Sequence, residues 1–422
     1  MRLGPVELMP GISRGNAITK LYLSGITIAA LTGMALLQGY ILAEHLHIPR
    51  GGQGTLTGDL SFWSEIVMLL CFIPCGVLAD RIGRRPVYVT GILLIGIGWG
   101  LYPFATTTGE LLGYRLIFAV GVAAATSTLT TLVNDYPVNS SRGKYIGMTA
   151  MMNVLGTIFA ARIIGGIPDA LTARGFDAVT SGTVMFGSMA LLCALTAIVA
   201  RFGLQGGTPV AADARAPARE LYASGLRAAR NPRIAIAYAA ALAARSDVVI
   251  KGLFMALWAL QSGRELGLST AEAMARFGTI MALMYTVSFF SAPLFGWLID
   301  RINRMTVMCI ALLVATTGYL SMYFLTNPID YAMIPLLTLL TLGTGFMVKA
   351  QTALIGQEAP ENKRGSIIAT AQMFGAIGIL VFTGIGGRLF DALGPWAPFV
   401  AVGAYQAILL VAAVWVRLVK PE

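Results

Sequence analysis

Long apolar runs alternate with short polar breaks along almost the whole chain. Twelve of them reach membrane-crossing length: about 21–43, 60–79, 87–105, 110–133, 145–167, 178–200, 234–258, 277–299, 305–325, 331–353, 366–387 and 396–416. A bilayer-spanning helix needs roughly 20 mostly apolar residues. None of the runs shows the period-two alternation of a barrel strand. The pattern predicts an all-α membrane protein. The run from Leu21 has eleven more behind it and reads as a retained span, not a cleaved leader.

The longest polar break, 203–233, leaves six spans on each side. Its Ala-, Gly- and Pro-rich beginning reads as a linker. Its end, "ARELYASGLRAARNP", has two readings: a short basic helix lying on anionic headgroups, or a solvated tether. The expected organisation is an N-terminal six-helix bundle over 1–202, a cytoplasmic linker over 203–233 and a C-terminal bundle over 234–422. The halves echo one another. "GVLADRIGRR" from Gly76 returns as "GWLIDRINRM" from Gly296, "PVNSSRGKYIG" as "PENKRGSII", and "GGIPDAL" from Gly165 as "GGRLFDAL" from Gly386. A duplicated six-helix unit implies two bundles facing each other across a pseudo-two-fold axis, with a site at the midplane.

Composition agrees: 56% hydrophobic, 12% charged, mean hydropathy +0.74, with about half the charged share of a soluble protein. The net charge of +10 is mostly a matter of position. With a cytoplasmic N-terminus, the loops on that side hold 20 of the 30 Lys and Arg residues, and the outer loops hold Arg50, Arg174, Arg264, Arg276 and Arg388. Acids divide evenly, so the basic residues set the orientation. The expectation is a multi-pass protein of the cytoplasmic membrane with both termini inside and no nucleic-acid partner. Cys71, Cys75, Cys193 and Cys309 form neither a disulfide framework nor a metal site. "EHLH" at Glu44–His47 carries ligand-type side chains, but no metal and no cofactor is expected. GxSxG, GxxxxGK[ST] and HExxH are absent, which argues against an enzyme and against ATP-driven transport on this chain.

"GVLADRIGRR" resembles the signature loop between helices 2 and 3 of the major facilitator superfamily, roughly Gly-x-Leu-x-Asp-Arg-x-Gly-Arg-Arg/Lys. Gly76, Leu78, Asp80, Arg81, Gly83, Arg84 and Arg85 match. The second copy keeps Gly296, Leu298, Asp300, Arg301 and Arg304, with Asn303 for the glycine and Met305 for the last base. Arg115 with Gly121 resembles that family's arginine motif in helix 4. The resemblance covers essentially the whole chain. It implies twelve transmembrane helices in two pseudo-symmetric bundles, alternating access and a monomer. It also implies a gate built from Asp80, Arg81, Arg84 and Arg85, with Arg84 in reach of Asp135, and a weaker copy at Asp300, Arg301 and Arg304. Span 5 has Gly156, Gly165 and Gly166 but lacks the Gly-Pro pair typical of many drug/proton antiporters.

Seven charges remain inside spans: Glu65, Arg115, Arg162, Arg245, Asp247, Lys251 and Lys349. Each costs about 3 kcal/mol or more facing lipid, so a bundle interior or a water-filled cavity is expected. Five are positive and two negative, a balance that favours an anionic ligand. Arg115, Arg162, Arg245, Lys251 and Lys349, with Gln38 and Asn153, are the candidate substrate-binding residues. Glu65 and Asp247 are the only carboxylates placed to carry a coupling proton within a span. Each has a blander reading. Arg115 could be structural, Arg162 could pair with Glu65, and Lys251 could pair with Asp247 four residues earlier. Lys349 could snorkel or belong to a gate. Glu65, Arg115 and Arg162 fall in the outer thirds of their spans and could meet there.

The leading reading is a secondary transporter moving a small organic anion by alternating access, with proton coupling open. The alternative is a proton-driven exporter of drugs or amphipathic compounds. A ligand sensor without net flux stands behind both.

Overall fold

The computed structural model describes residues 2–207, 224–360 and 364–419. Twelve long helices occupy the twelve apolar runs. They are α1 (Arg14–Glu44), α2 (Arg50–Ile82), α3 (Arg84–Leu101), α4 (Thr108–Asp135), α5 (Arg142–Phe159), α6 (Ala178–Gly203), α7 (Pro232–Glu265), α8 (Thr270–Arg301), α9 (Arg304–Leu320), α10 (Ile334–Glu358), α11 (Arg364–Leu393) and α12 (Ala397–Val419). Eleven are long and apolar enough to cross a membrane. The other is α7, whose middle carries Arg245, Asp247 and Lys251. α1 starts seven residues before the apolar run, on a reciprocal cap between Ser13 and Asn16. Beyond Phe159, α5 continues through one π turn, Ala160–Ile164.

The chain forms two compact units. Unit 1 comprises Met1–Pro49, Trp63–Asp213 and Gly263–Ala282; unit 2 comprises Arg50–Phe62, Ala214–Ser262 and Leu283–Glu422. Each draws most of its helices from one half of the sequence and one stretch from the other. The start of α8 belongs to unit 1 and the start of α2 to unit 2.

The repeat seen in the loops recurs in the packing. In unit 1, α1 and α5 touch backbone to backbone: a Cβ on Gly156 would lie 2.0 Å from the Gly25 carbonyl oxygen. In unit 2, a Cβ on Gly378 would lie 1.9 Å from the Leu242 carbonyl oxygen, where α11 crosses α7. The α3–α4 contact at Gly121 has its counterpart in the α9–α10 contact at Gly343. In lipid, helices gain attraction by such close approach, which only small residues permit.

The two motif turns are built differently. Gly83 joins α2 to α3 at φ +100°, a conformation that glycine adopts without penalty. Asn303 takes an ordinary φ of −49° and caps α9, its side chain accepting from the N–H groups of Met305 and Thr306. The second copy thus replaces a positive-φ glycine with a side-chain cap.

One element lay outside the expectations. Residues before α1 form a small hairpin, β1 (Arg2–Leu3) and β2 (Val6–Glu7). It is pinned to the α4–α5 loop: Met9 N–H donates to the Tyr136 carbonyl and Val138 N–H to the Glu7 carbonyl. Val6 and Leu8 are buried there.

Candidate functional site

In unit 2 the charges of α7 diverge. Asp247 is fully buried. Its Oδ1 accepts from the Tyr319 hydroxyl of α9 at 2.7 Å and from Gln406 Nε2 of α12 at 3.5 Å. Its Oδ2 has no hydrogen bond. Lys251, one turn along, sends Nζ to Thr344 Oγ1 of α10 at 2.5 Å. Their shared helix face is as expected from the spacing, yet their polar ends go to different neighbours.

Lys349 joins Lys251 at α10. Its Nζ donates to the Gly345 carbonyl at 3.1 Å and stands 5.4 Å from the centre of the Phe295 ring. Phe295 is itself stacked on Phe346 at 4.5 Å, which fixes the wall against which the lysine lies. The two ammonium groups are anchored on consecutive residues, Thr344 and Gly345. Both side chains are half-buried. Arg245, exposed on α7, reaches Gln372 Oε1 of α11 at 3.1 Å.

In unit 1, Arg115 is buried on α4. Its Nε donates to Ser64 Oγ of α2 at 3.2 Å, its guanidinium lies 5.0 Å from the Phe118 ring centre, and one Nη has no hydrogen bond. Glu65, next to Ser64, is buried at 2% exposure. The Tyr102 hydroxyl contacts Gln38 Oε1 at 3.4 Å, and Gln38 Nε2 is buried without a partner. Two buried donors, on Arg115 and Gln38, are therefore left unsatisfied, a condition that a polar ligand or water would relieve. Arg162 stands on another helix of the same unit. It is exposed on the π turn after α5, the kind of helix irregularity frequent at functional sites. Asn153 is half-buried, and its Oδ1 has no partner.

Arg84 Nη1 pairs with Asp135 Oδ2, and the Arg85 guanidinium lies against Gly206. Asp80 is half-buried and Arg81 exposed. In the second copy, Arg301 lies over Trp297 at 4.8 Å, and Arg304 Nη1 donates to the Ala353 carbonyl at 3.3 Å. The side chain of Asp300 lies outside the described residues.

Sequence reasoning missed Lys20. Next to Leu21 it reads as a loop residue, but the cap at Ser13 places it well inside α1. There it is fully buried, with Nζ donating to Thr149 Oγ1 at 2.7 Å and lying 5.0 Å from the Tyr145 ring centre. The Ser13–Asn16 cap was the signal that could have found it. In "EHLH", Glu44 pairs with Arg264 at 2.7 Å, and His45 Nδ1 lies 3.0 Å from the Pro103 carbonyl. Among the described residues no group of three His, Cys, Asp or Glu could hold a metal ion.

Comparison with known proteins places these features. The model of the Major Facilitator Superfamily matches residues 21–383 and 248–422. The magnetosome protein MamH of Paramagnetospirillum magneticum is 29% identical over 408 residues, covering 95% of this chain and 91% of the relative. The magnetosome protein MamZ of Magnetospirillum gryphiswaldense is 26% identical over 427 residues; the match takes in 97% of this chain but 63% of MamZ. The multi-drug resistance efflux pump PmrA of Streptococcus pneumoniae is 24% identical over 327 residues, 77% of each chain. A point mutant of the nucleoside transporter NupG superposes with a TM-score of 0.74 at 14% identity, covering 94% of this chain and 99% of the other. A bacterial homologue of the human lysosomal transporter Spinster, inward-facing and occupied, gives 0.69 at 16% identity, with 94% and 95% covered. At such identities the structures speak for the fold alone. With the family model covering most of the sequence, this multi-pass membrane chain belongs to the Major Facilitator Superfamily.

Proposed function

We propose that the chain is a secondary transporter that moves a small organic anion by alternating access. The observation that carries the substrate class is the anchoring of Lys251 and Lys349 on consecutive residues of α10, while Asp247 is turned to Tyr319 and Gln406. Two cations anchored side by side against the single acid of α7 leave a positive charge that an anion would stabilise, and charge-assisted hydrogen bonds to one are the strong kind. Arg115, with a buried unsatisfied donor in unit 1, adds to the same balance. Both termini are cytoplasmic on this reading, the protein acts as a monomer, and its membrane is the cytoplasmic one. Similarity to the magnetosome proteins MamH and MamZ makes a magnetosome membrane the second location to examine.

A second reading, a proton-driven exporter of drugs or amphipathic compounds, is supported by the similarity to PmrA. Flux measurements in proteoliposomes divide the two. Labelled mono- and dicarboxylates and a cationic amphiphile are offered with and without an imposed pH gradient. Carboxylate flux should exceed that of the amphiphile, and Lys251→Met or Lys349→Met should raise its KM by about tenfold or more, as expected for a lost charge-assisted hydrogen bond. Wild-type carboxylate kinetics in both variants would remove the site. Flux of the amphiphile alone would favour the second reading.

A further inference from the structure

We propose that a pocket in unit 2, beneath the end of the segment joining the two sequence halves, binds a phosphate group, supplied by an anionic phospholipid headgroup or by a free phosphate ester. Residues 224–228 form a short helix that is fastened to unit 2 at several points. The Tyr238 hydroxyl of α7 donates to the Gly225 carbonyl at 2.9 Å. Ser224 Oγ meets Ser366 Oγ of α11 at 2.5 Å. Gly225 sits so near α11 that a Cβ would lie 2.7 Å from the Ser366 carbonyl oxygen. The end of this segment is therefore a docked element and not a loose tether.

Against it lies a pocket of about 410 Å³ whose lining includes Arg227, Arg230, Asn231, Glu358, Ile234 and Ile367. The acid on its wall is already engaged at both oxygens. Arg233 Nη1 donates to Glu358 Oε1 at 2.9 Å, and Asn231 Nδ2 donates to Oε2 at 3.0 Å. That neutralises Glu358 and, among the described residues of the lining, leaves Arg227 and Arg230 as its remaining charge. Both are exposed, and among the described residues neither has an acidic partner. Two guanidinium forks on one wall match the oxygens of a phosphate in geometry as well as charge. Ile234 and Ile367, buried at 3% and 0% exposure, form an apolar floor suited to the glycerol and upper acyl part of a lipid. Basic pockets beside spanning helices at the membrane surface recognise anionic headgroups in this way.

The test uses the full chain, purified in detergent and depleted of lipid. Its thermal midpoint is measured with phosphatidylglycerol, phosphatidylcholine or inorganic phosphate, and retained lipid is counted by native mass spectrometry. Phosphatidylglycerol should raise the midpoint by a few degrees and phosphatidylcholine should not. The increment should vanish in R227Q/R230Q, shrink in R227K/R230K, and persist in Arg174→Gln, which removes a charge elsewhere. An increment from inorganic phosphate with the same sensitivity assigns the site to a free phosphate ester. Equal phosphatidylglycerol increments in wild type and R227Q/R230Q, or no increment from either anion, would overturn the site. Should R227Q/R230Q fail to fold, R227K/R230K decides: undiminished lipid retention and midpoint increment count against the arginine forks.

Discussion

Arg84 Nη1 closes on the Asp135 carboxylate, whereas among the described residues its repeat counterpart Arg304 reaches the carbonyl of Ala353. The same motif position thus makes an ion pair in one copy and a single hydrogen bond to backbone in the other. If these contacts latch a gate, Asp135→Asn should shift the conformational population about fivefold, the lower end of typical coupling energies, and Arg304→Gln should shift it less. The pair is partly exposed, at 16% and 39%, so a larger effect is not expected. Labelling of single cysteines introduced in the α2–α3 loop reads the shift. Equal rates in wild type and both variants would remove the latch.

A second pair is structural. Arg233 and Glu358 are 11% and 12% exposed, and Asn231 completes the carboxylate's hydrogen bonding. Removing one partner of this part-buried pair takes the nearest opposite charge from the other, at up to about 3 kcal/mol. Glu358→Leu alone should therefore lower the thermal midpoint far more than R233M/E358L, which removes both charges. Equal losses in the two variants would show that packing, not charge, holds this corner.

The spans were legible because a bilayer demands uninterrupted apolar length, and the Arg84–Asp135 pair because the motif's resemblance to the family loop put Arg84 in reach of the acid that ends α4. The partners inside the spans were not. Thr344 lies 93 residues from Lys251, and Tyr319 lies 72 from Asp247, so helix packing and no local spacing brings them together. A four-residue interval fixes the side of a helix on which two residues stand. It does not decide which neighbour's hydroxyl draws each one. The π turn at Ala160–Ile164 that carries the exposed Arg162 is foretold by no periodicity. Asn303 looked like a defect in the motif until its cap on α9 was seen.

Gly156 and Gly378 stand 222 residues apart and each lets two helices touch, with no room for a Cβ at 2.0 Å and 1.9 Å from a facing carbonyl oxygen. Gly156→Ala and Gly378→Ala should each sharply reduce the yield of monodisperse protein. Gly147→Ala, where a Cβ meets open space, should be neutral or stabilising by up to about 1 kcal/mol. Size-exclusion profiles and thermal midpoints decide. Wild-type behaviour of the first two would mean that the crossings open without loss.

Asp247 tests coupling. In Asp247→Asn the side-chain oxygen can still accept from the Tyr319 hydroxyl, so the fold should survive. Asp247→Leu would leave that hydroxyl buried and unpaired at about 1–3 kcal/mol. If Asp247 carries the coupling proton, Asp247→Asn should abolish accumulation driven by a pH gradient while exchange of substrate stays within about twofold of wild type. Glu65→Gln is the parallel arm. Gradient-driven accumulation intact in both would exclude the intramembrane carboxylates from coupling.

His45 gives a pH signature outside the spans. Its Nδ1 donates to the Pro103 carbonyl at 3.0 Å, and Nε2 is buried with no hydrogen bond. Burial holds its pKa below the ordinary 6.5, outweighing the Pro103 carbonyl and the Glu44 carboxylate, which act the other way. The unfolded chain therefore takes up a proton on this residue at a higher pH than the folded one does. Its contribution to stability is complete above 6.5 and declines as pH falls below that value, by no more than about 1.4 kcal/mol per pH unit. His45→Gln removes the titrating group. Between about pH 7.5 and 5.5 the wild-type midpoint should fall more steeply than that of His45→Gln, the window being set by the ordinary histidine value. Parallel profiles for the two proteins would show that the imidazole is free to protonate in the folded state.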